Sequence, residues 1–250
     1  MSFEVKYLSE PKLKEPILIE GLPGIGNVGK IAADFLVDTL KAKKFLEIHS
    51  HHFPHSVFIN EDNLINLPIV ECWHKKVNKQ DFIILTGDIQ PIDEVSCYKF
   101  CETVVDIMEK YQGKEIVTLG GIGLQKIPKK PKVYITGTDK NFVSSFKGCS
   151  NKIYGVVGPI MGVTGVLLGS ASKRGIPAVS ILTQTFGHPA YLGIKGSKET
   201  LTVLNKKYNF NIDLKTLSEE IAELEKEIKV KSTSVTESTD ETRPEANYFG

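Results

Sequence analysis

The densest chemical signal in this sequence is a run of glycines. Gly21-Leu22-Pro23-Gly24-Ile25-Gly26-Asn27-Val28-Gly29 contains a G-x-G-x-x-G pattern between an apolar strand and a helical pattern. In that position backbone N–H groups converge at a helix N-terminus, and the missing side chains let a phosphate approach. Glu47 stands near the separation at which a dinucleotide fold places its ribose-binding carboxylate. Gly24, Gly29 and Lys30 also match most of a Walker loop, but Ile31 occupies the place of the Ser or Thr that binds magnesium. Pro23 is foreign to a dinucleotide loop. The competing reading is that these glycines turn the chain and let a helix pack closely on a sheet.

Other groups are sparser. His49, His51, His52 and His55 fall within seven residues, and His49 and His51 would share one face of a strand. That spacing suits a metal; it equally suits neutral histidines near a sheet edge, with Phe53-Pro54 ending the strand. Cys97 and Cys101 lie four apart on a helical pattern without a further ligand nearby, whereas zinc needs about four. Asp88, Asp93 and Glu94 follow an apolar strand, where α/β enzymes place carboxylates. Asp93 also fits a helix N-cap. His188-Pro189 falls in a loop with no assigned role, and no G-x-S-x-G elbow occurs. No catalytic residue, cofactor or metal is assigned on these grounds.

The elements that must position these groups follow from composition and pattern. The chain has 250 residues, 41% apolar and 24% charged, with a net charge of +1. That suits one large globular domain with an appendage and gives no basic stripe for nucleic acid. Four cysteines without a C-x-x-C pair, and a start that lacks an apolar leader, point to a reduced, cytoplasmic setting. The uncharged stretch between Lys152 and Lys173 carries Gly165-x-x-x-Gly169, but Gly155, Gly158, Pro159 and Gly162 interrupt it. A membrane span needs about 20 apolar residues in one helix, so no membrane role is expected.

Strands are expected at Pro16–Glu20, Lys44–Ser50, Asp81–Thr86, Glu115–Leu119, Val133–Thr136, Ile153–Val157 and Pro177–Leu182. Val57–Ile59 and Ile69–Trp73 read as a hairpin or meander around Asn60-Glu61-Asp62-Asn63. Helices are expected over Asn27–Lys41, Asp93–Tyr111, the stretch from the Gly162 turn to Arg174, and Gly196–Tyr208. The alternation predicts an α/β fold with three layers: a mostly parallel mixed sheet with helices on both faces.

Residues 1–212 would form that domain. Residues 213–230 would form an amphipathic helix capped by Asp213, with Leu214, Leu217, Ile221, Leu224 and Ile228 as its seam. It is long enough to dock on a domain or to start a short coiled coil. Residues 231–250 are polar through Thr242 and have little to bury, which predicts a flexible tail. Its reach is on the order of 20–25 Å. Yet the chain ends in Tyr248-Phe249-Gly250. A terminal carboxylate beside aromatic anchors can pair with a basic pocket while the rings fill an apolar one.

Four segments in this order resemble the proteasome assembly chaperone family, especially its archaeal branch. They are Gly21–Gly29, Leu85-Thr86-Gly87-Asp88-Ile89-Gln90-Pro91, Thr118-Leu119-Gly120-Gly121-Ile122-Gly123 and Gly162-Val163-Thr164-Gly165-Val166-Leu167-Leu168-Gly169, followed by Arg174-Gly175-Ile176-Pro177-Ala178. The resemblance covers about Pro16 to Ile212. It implies a phosphorylase/hydrolase-like α/β fold and a non-enzymatic homo-oligomer that acts on proteasome subunits. It also implies that the tail docks in pockets between α-subunits of the proteasome core particle, through Tyr248, Phe249 and Gly250. Some archaeal relatives end in hydrophobic–tyrosine–any; here the penultimate residue is Phe249. The alternative is a nucleotide- or nucleoside-binding enzyme, a ligase or hydrolase, built on the glycine loop.

Overall fold

The computed structural model describes residues 3–219 apart from 61, 156 and 216. It divides into two units, the first ending at Ile212 and the second beginning at Asp213. The first unit contains, in chain order, β1 (Glu4–Tyr7), β2 (Ile17–Glu20), a 3-10 turn (Ile25–Asn27), α1 (Val28–Leu40) and β3 (Lys43–His49). Next come β4 (Phe58–Ile59), β5 (Ile65–Asn66), β6 (Val70–Val77), β7 (Gln80–Gly87) and α2 (Glu94–Lys110). The unit finishes with β8 (Glu115–Leu124), β9 (Val133–Gly137), α3 (Lys140–Ser144), α4 (Gly162–Lys173), β10 (Ala178–Phe186) and α5 (Ile194–Tyr208).

Eight strands form one sheet in the order β1-β3-β6-β7-β2-β8-β10-β9. Pairings along β7-β2-β8-β10 are parallel, and the outer pairings are antiparallel. Thus β2, β3, β7, β8 and β10 run one way, and β1, β6 and β9 the other. Near-continuous apolar runs make the centre: Asp81 to Gly87 are all buried, as a strand covered on both faces requires. One face shares a core with α2 and α4: Leu18, Ile83, Leu85 and Ile116 meet Phe100, Val104, Met108, Val163 and Leu167. On the other, α1 packs against β7 and β8, and α5 against β10. The expected three-layer α/β architecture with a mixed sheet is what the chain adopts.

Local chemistry explains the helix ends. Asp93 accepts from the Ser96 N–H at 2.9 Å and caps α2. Lys41 closes α1 in the left-handed region, at φ 51°.

Several elements depart from the sequence expectation. The strand read as ending at Leu119 continues through Gly120-Gly121-Ile122-Gly123 to Leu124, because β10 pairs with it residue for residue up to Phe186. The expected hairpin is split differently. Strand β4 pairs with β5 across the Asn60 turn, while Val70–Val77 joins the main sheet between β3 and β7. No strand forms at 153–157 among the described residues; Tyr154 and Val157 make an isolated bridge. In the second unit Lys215 N–H donates to Asp213 Oδ1 at 2.9 Å and Ser218 N–H to the Leu214 carbonyl at 3.2 Å. The rest of the expected 213–230 helix and the 231–250 tail lie outside the described residues. No helix among the described residues is long and apolar enough to cross a membrane.

Candidate functional site

The glycine motifs meet where parallel sheets place ligands. A cleft of about 430 Å³ opens at the carboxyl ends of β2 and β8, lined among others by Gly24, Gln90, Gly121, Met161 and Thr164. From β2 the chain leaves toward β3, and from β8 toward β9 and β10, so the cleft sits where the connections diverge. Gln90 closes one side. Its carboxamide donates to the Pro23 carbonyl and accepts from the Val163 N–H at 3.1 Å, tying the first glycine loop to the start of α4.

Most glycines of the loop serve close packing. A Cβ on Gly21 would stand 2.2 Å from the Gly29 carbonyl oxygen, and one on Gly29 would stand 2.4 Å from that of Leu119. One on Gly121 would stand 2.1 Å from the Ile25 oxygen. Gly26 needs its freedom twice over: φ is 62°, and a Cβ would strike the Thr185 hydroxyl at 2.6 Å. Gly21, Gly29 and Gly121 let main chain pack on main chain, whereas Gly24 meets nothing nearer than the Gln90 carboxamide nitrogen, at 3.7 Å, and lines the cleft. Lys30 is turned to Asp34, at 2.8 Å, and Glu47 pairs with Lys44 at 3.0 Å on the far side of the sheet. Hydrogen bonding from Lys44 holds the Glu47 carboxyl below its usual range.

Several of the remaining candidates are engaged in structural contacts. Asp88 Oδ2 accepts from the Ile69 N–H at 3.1 Å. Glu94 is exposed in the first turn of α2. His52 Nδ1 lies 2.8 Å from Ser96 Oγ, which also bonds Asp93. This Ser-His-Asp trio has the wrong order for nucleophilic catalysis, since the carboxylate holds the serine and Ser96 is fully buried. His49 lies 3.4 Å from Glu47, and His188 stacks on Phe186 with centroids 5.6 Å apart. Among the described residues no three His, Cys, Asp or Glu side chains are grouped to hold a metal.

The PAC2 family model matches residues 18–231. This chain belongs to the PAC2 family. An uncharacterized protein of Methanocaldococcus jannaschii is 33% identical to it over 224 residues, 87% of this chain and 85% of that one. Pyrococcus furiosus PbaB, described as an archaeal proteasome activator, is similar in structure with a TM-score of 0.84 and 31% identity, over 92% of this chain and 99% of that one. Pyrococcus furiosus PbaA, an archaeal homolog of proteasome-assembly chaperone, has a TM-score of 0.76 at 24% identity, over 93% of each chain, and is similar in fold.

One group within this PAC2 domain escaped the sequence reading. Glu20, at the end of β2, is completely buried. Its Oε1 accepts from the Leu22 N–H at 3.0 Å, and its Oε2 has no partner. Burial pushes the carboxyl up to about 8, against the pull of backbone hydrogen bonds from Leu22 and Leu119. The carboxyl is therefore mostly protonated at neutral pH, one layer beneath the Leu22 that lines the cleft. The available signal was a lone acidic residue closing an apolar run. The tail residues Tyr248, Phe249 and Gly250 lie outside the described residues.

Proposed function

We propose that this PAC2-family chain is a non-enzymatic, cytoplasmic proteasome-binding protein, an assembly chaperone or an adaptor that activates the core particle. The observation that carries this reading is the likeness to Pyrococcus furiosus PbaB in both sequence and fold along nearly the whole chain. In this reading residues 1–212 form the body, 213–230 a helix and 231–250 a tether. The tether presents Tyr248, Phe249 and the Gly250 carboxylate to pockets between α-subunits. One short tail binds weakly, so a homo-oligomer carrying several tails supplies the effective concentration that makes docking stable. The engagement of Lys30, Glu47, Asp88 and Asp93 in structural contacts supports a binding role over catalysis. No specific observation favours the nucleotide-binding enzyme.

The test is capture of archaeal proteasome core particle by the full chain and by a chain ending at Asn247. Capture by the full chain alone is expected. Equal capture by both would move the contact off the tail, and capture by neither would overturn the proteasome reading.

A further inference from the structure

The largest departure from an ordinary protein surface is the β4–β5 hairpin with its flanks. Val57, Phe58, Ile59, Leu64, Ile65 and Leu67 are 50%, 42%, 72%, 61%, 68% and 73% exposed. Single exposed apolar residues are normal, but six within eleven positions make a contiguous patch of the kind that marks an interaction site. The hairpin is a deliberate structure. Asn60 Oδ1 accepts from the N–H groups of Asp62 at 3.1 Å and Leu64 at 2.8 Å, which sets its turn. Yet only two residue pairs join its strands, Phe58 with Asn66 and Ile59 with Ile65, and it takes no part in the main sheet. A two-stranded hairpin this short is marginal alone in water. It carries little of the usual protection of an exposed edge: the sequence from Val57 to Leu67 holds two charges, Glu61 and Asp62, and Asp62 lies in the turn.

Beside the hairpin lies a hollow of about 710 Å³, lined by His51, Phe53, Pro54 and His55 and by the hairpin's own Val57 and Leu67. Knob and hollow are thus one continuous surface. Its polar lining is chiefly imidazole, with Glu4 as the one carboxylate.

We propose that this surface is the self-association interface of the chain, with the hairpin of one copy seated against the hairpin and hollow of a second. Three features select a second copy as the occupant. The six side chains present on the order of 600 Å² of apolar area, close to the roughly 800 Å² that each partner contributes to a standard stable interface. The uncharged strand faces resemble a permanent interface more than a transient one, and a permanent cover must be present wherever the chain is made. Asp62 in the turn complements the imidazole donors of the opposite hollow, which a twofold contact brings together twice. This inference rests on the oligomer in the proposed function and is independent of the proteasome partner.

The experiment compares the full chain with Ile59→Asp/Ile65→Asp, and with Ile127→Asp as a control on a different exposed loop, by sedimentation and light scattering. The expected result is an oligomer for the wild type and the control, and a mass lower by about twofold or more for the double variant. Far-UV circular dichroism checks that the fold is kept. If the double variant fails to fold, hydrogen exchange on the wild type gives the answer. Amides of residues 58–60 and 64–66 should be protected at high concentration and lose protection on dilution. Unchanged mass in a folded double variant, a monomeric wild type, or exchange independent of concentration would each overturn the proposal. Core-particle capture that persists through the tail in any of those cases would leave the proteasome reading standing.

Discussion

Replacing Glu20 by Gln should remove a pH-dependent weakness from the middle of the molecule. The folded state holds a proton on Glu20 up to about pH 8, whereas the unfolded chain releases it near 4.5. Between those values the unfolded state binds fewer protons, so stability falls as pH rises. The stabilised condition is below about 4.5, the loss grows through neutrality, and above about 8 it is complete. At about 1.4 kcal/mol for each unit of pKa, the whole loss is roughly 4–5 kcal/mol, a large share of a typical domain's stability. Gln reproduces the neutral acid: its carbonyl accepts the Leu22 N–H as Oε1 does, and its amide occupies the place of the unpartnered Oε2. Wild type and variant should therefore melt together near pH 5 and diverge above pH 7. At about 2–4 °C per kcal/mol for a chain of this size, the gap at pH 8.5 is on the order of 10 °C in favour of the variant. The assay is thermal unfolding across the pH range, read as the difference between the two proteins so that other titrations cancel. Parallel melting profiles would refute the assignment of a buried, protonated carboxyl.

Gly29→Ala should destabilise the fold by about 1–3 kcal/mol in denaturant titration, because the new Cβ meets the Leu119 carbonyl at 2.4 Å. Helix propensity alone predicts a gain of about 1 kcal/mol, so the sign of the change decides between packing and propensity. Saturating ATP, NAD or adenosine should leave the melting temperature unchanged, whereas a specific ligand at a hundredfold its Kd would add about 2.7 kcal/mol. In the native protein at pH 8 a thiol reagent should label Cys149 slowly, and before Cys72. The Cys149 thiol is half-buried and pushed up to about 11, while Cys72 is buried and raised by desolvation. Rapid labelling of Cys72 before unfolding would contradict that burial.

The centre of the fold was legible because its strands are apolar on both faces and its helices carry apolar residues at helical spacing. What escaped had a physical reason each time. Strand β1 alternates exposed and half-buried residues at the sheet edge and shows no apolar run. The β6–β7 hairpin turns on Asn78 and Lys79, at φ 48° and 70°, and lysine is not a residue that advertises a left-handed turn. The hairpin partner of Val57–Ile59 was misassigned because the nearer Ile65-Asn66 pair is too short to register as a strand. The docking role proposed for Tyr248, Phe249 and Gly250 rests on the sequence alone, since those residues lie outside the described ones.

The glycine loop shows why a motif must be read with its surroundings. A G-x-G-x-x-G signature reports that side chains are absent; it does not report what fills the space. In a dinucleotide fold the filler is phosphate, received by N–H donors at a helix start. Here Gly29 packs on the Leu119 carbonyl and Gly26 on the Thr185 side chain, and Gly24 faces the cleft with the Gln90 carboxamide nitrogen 3.7 Å away. The contacts at Gly29 and Gly121 bring α1, the 3-10 turn and β8 into close packing. The three glycine-rich segments are thus one packing device, and they fix the Gln90 bridge between the first loop and α4. Packing of this kind gives a firm base for the apolar hairpin proposed above as an interface.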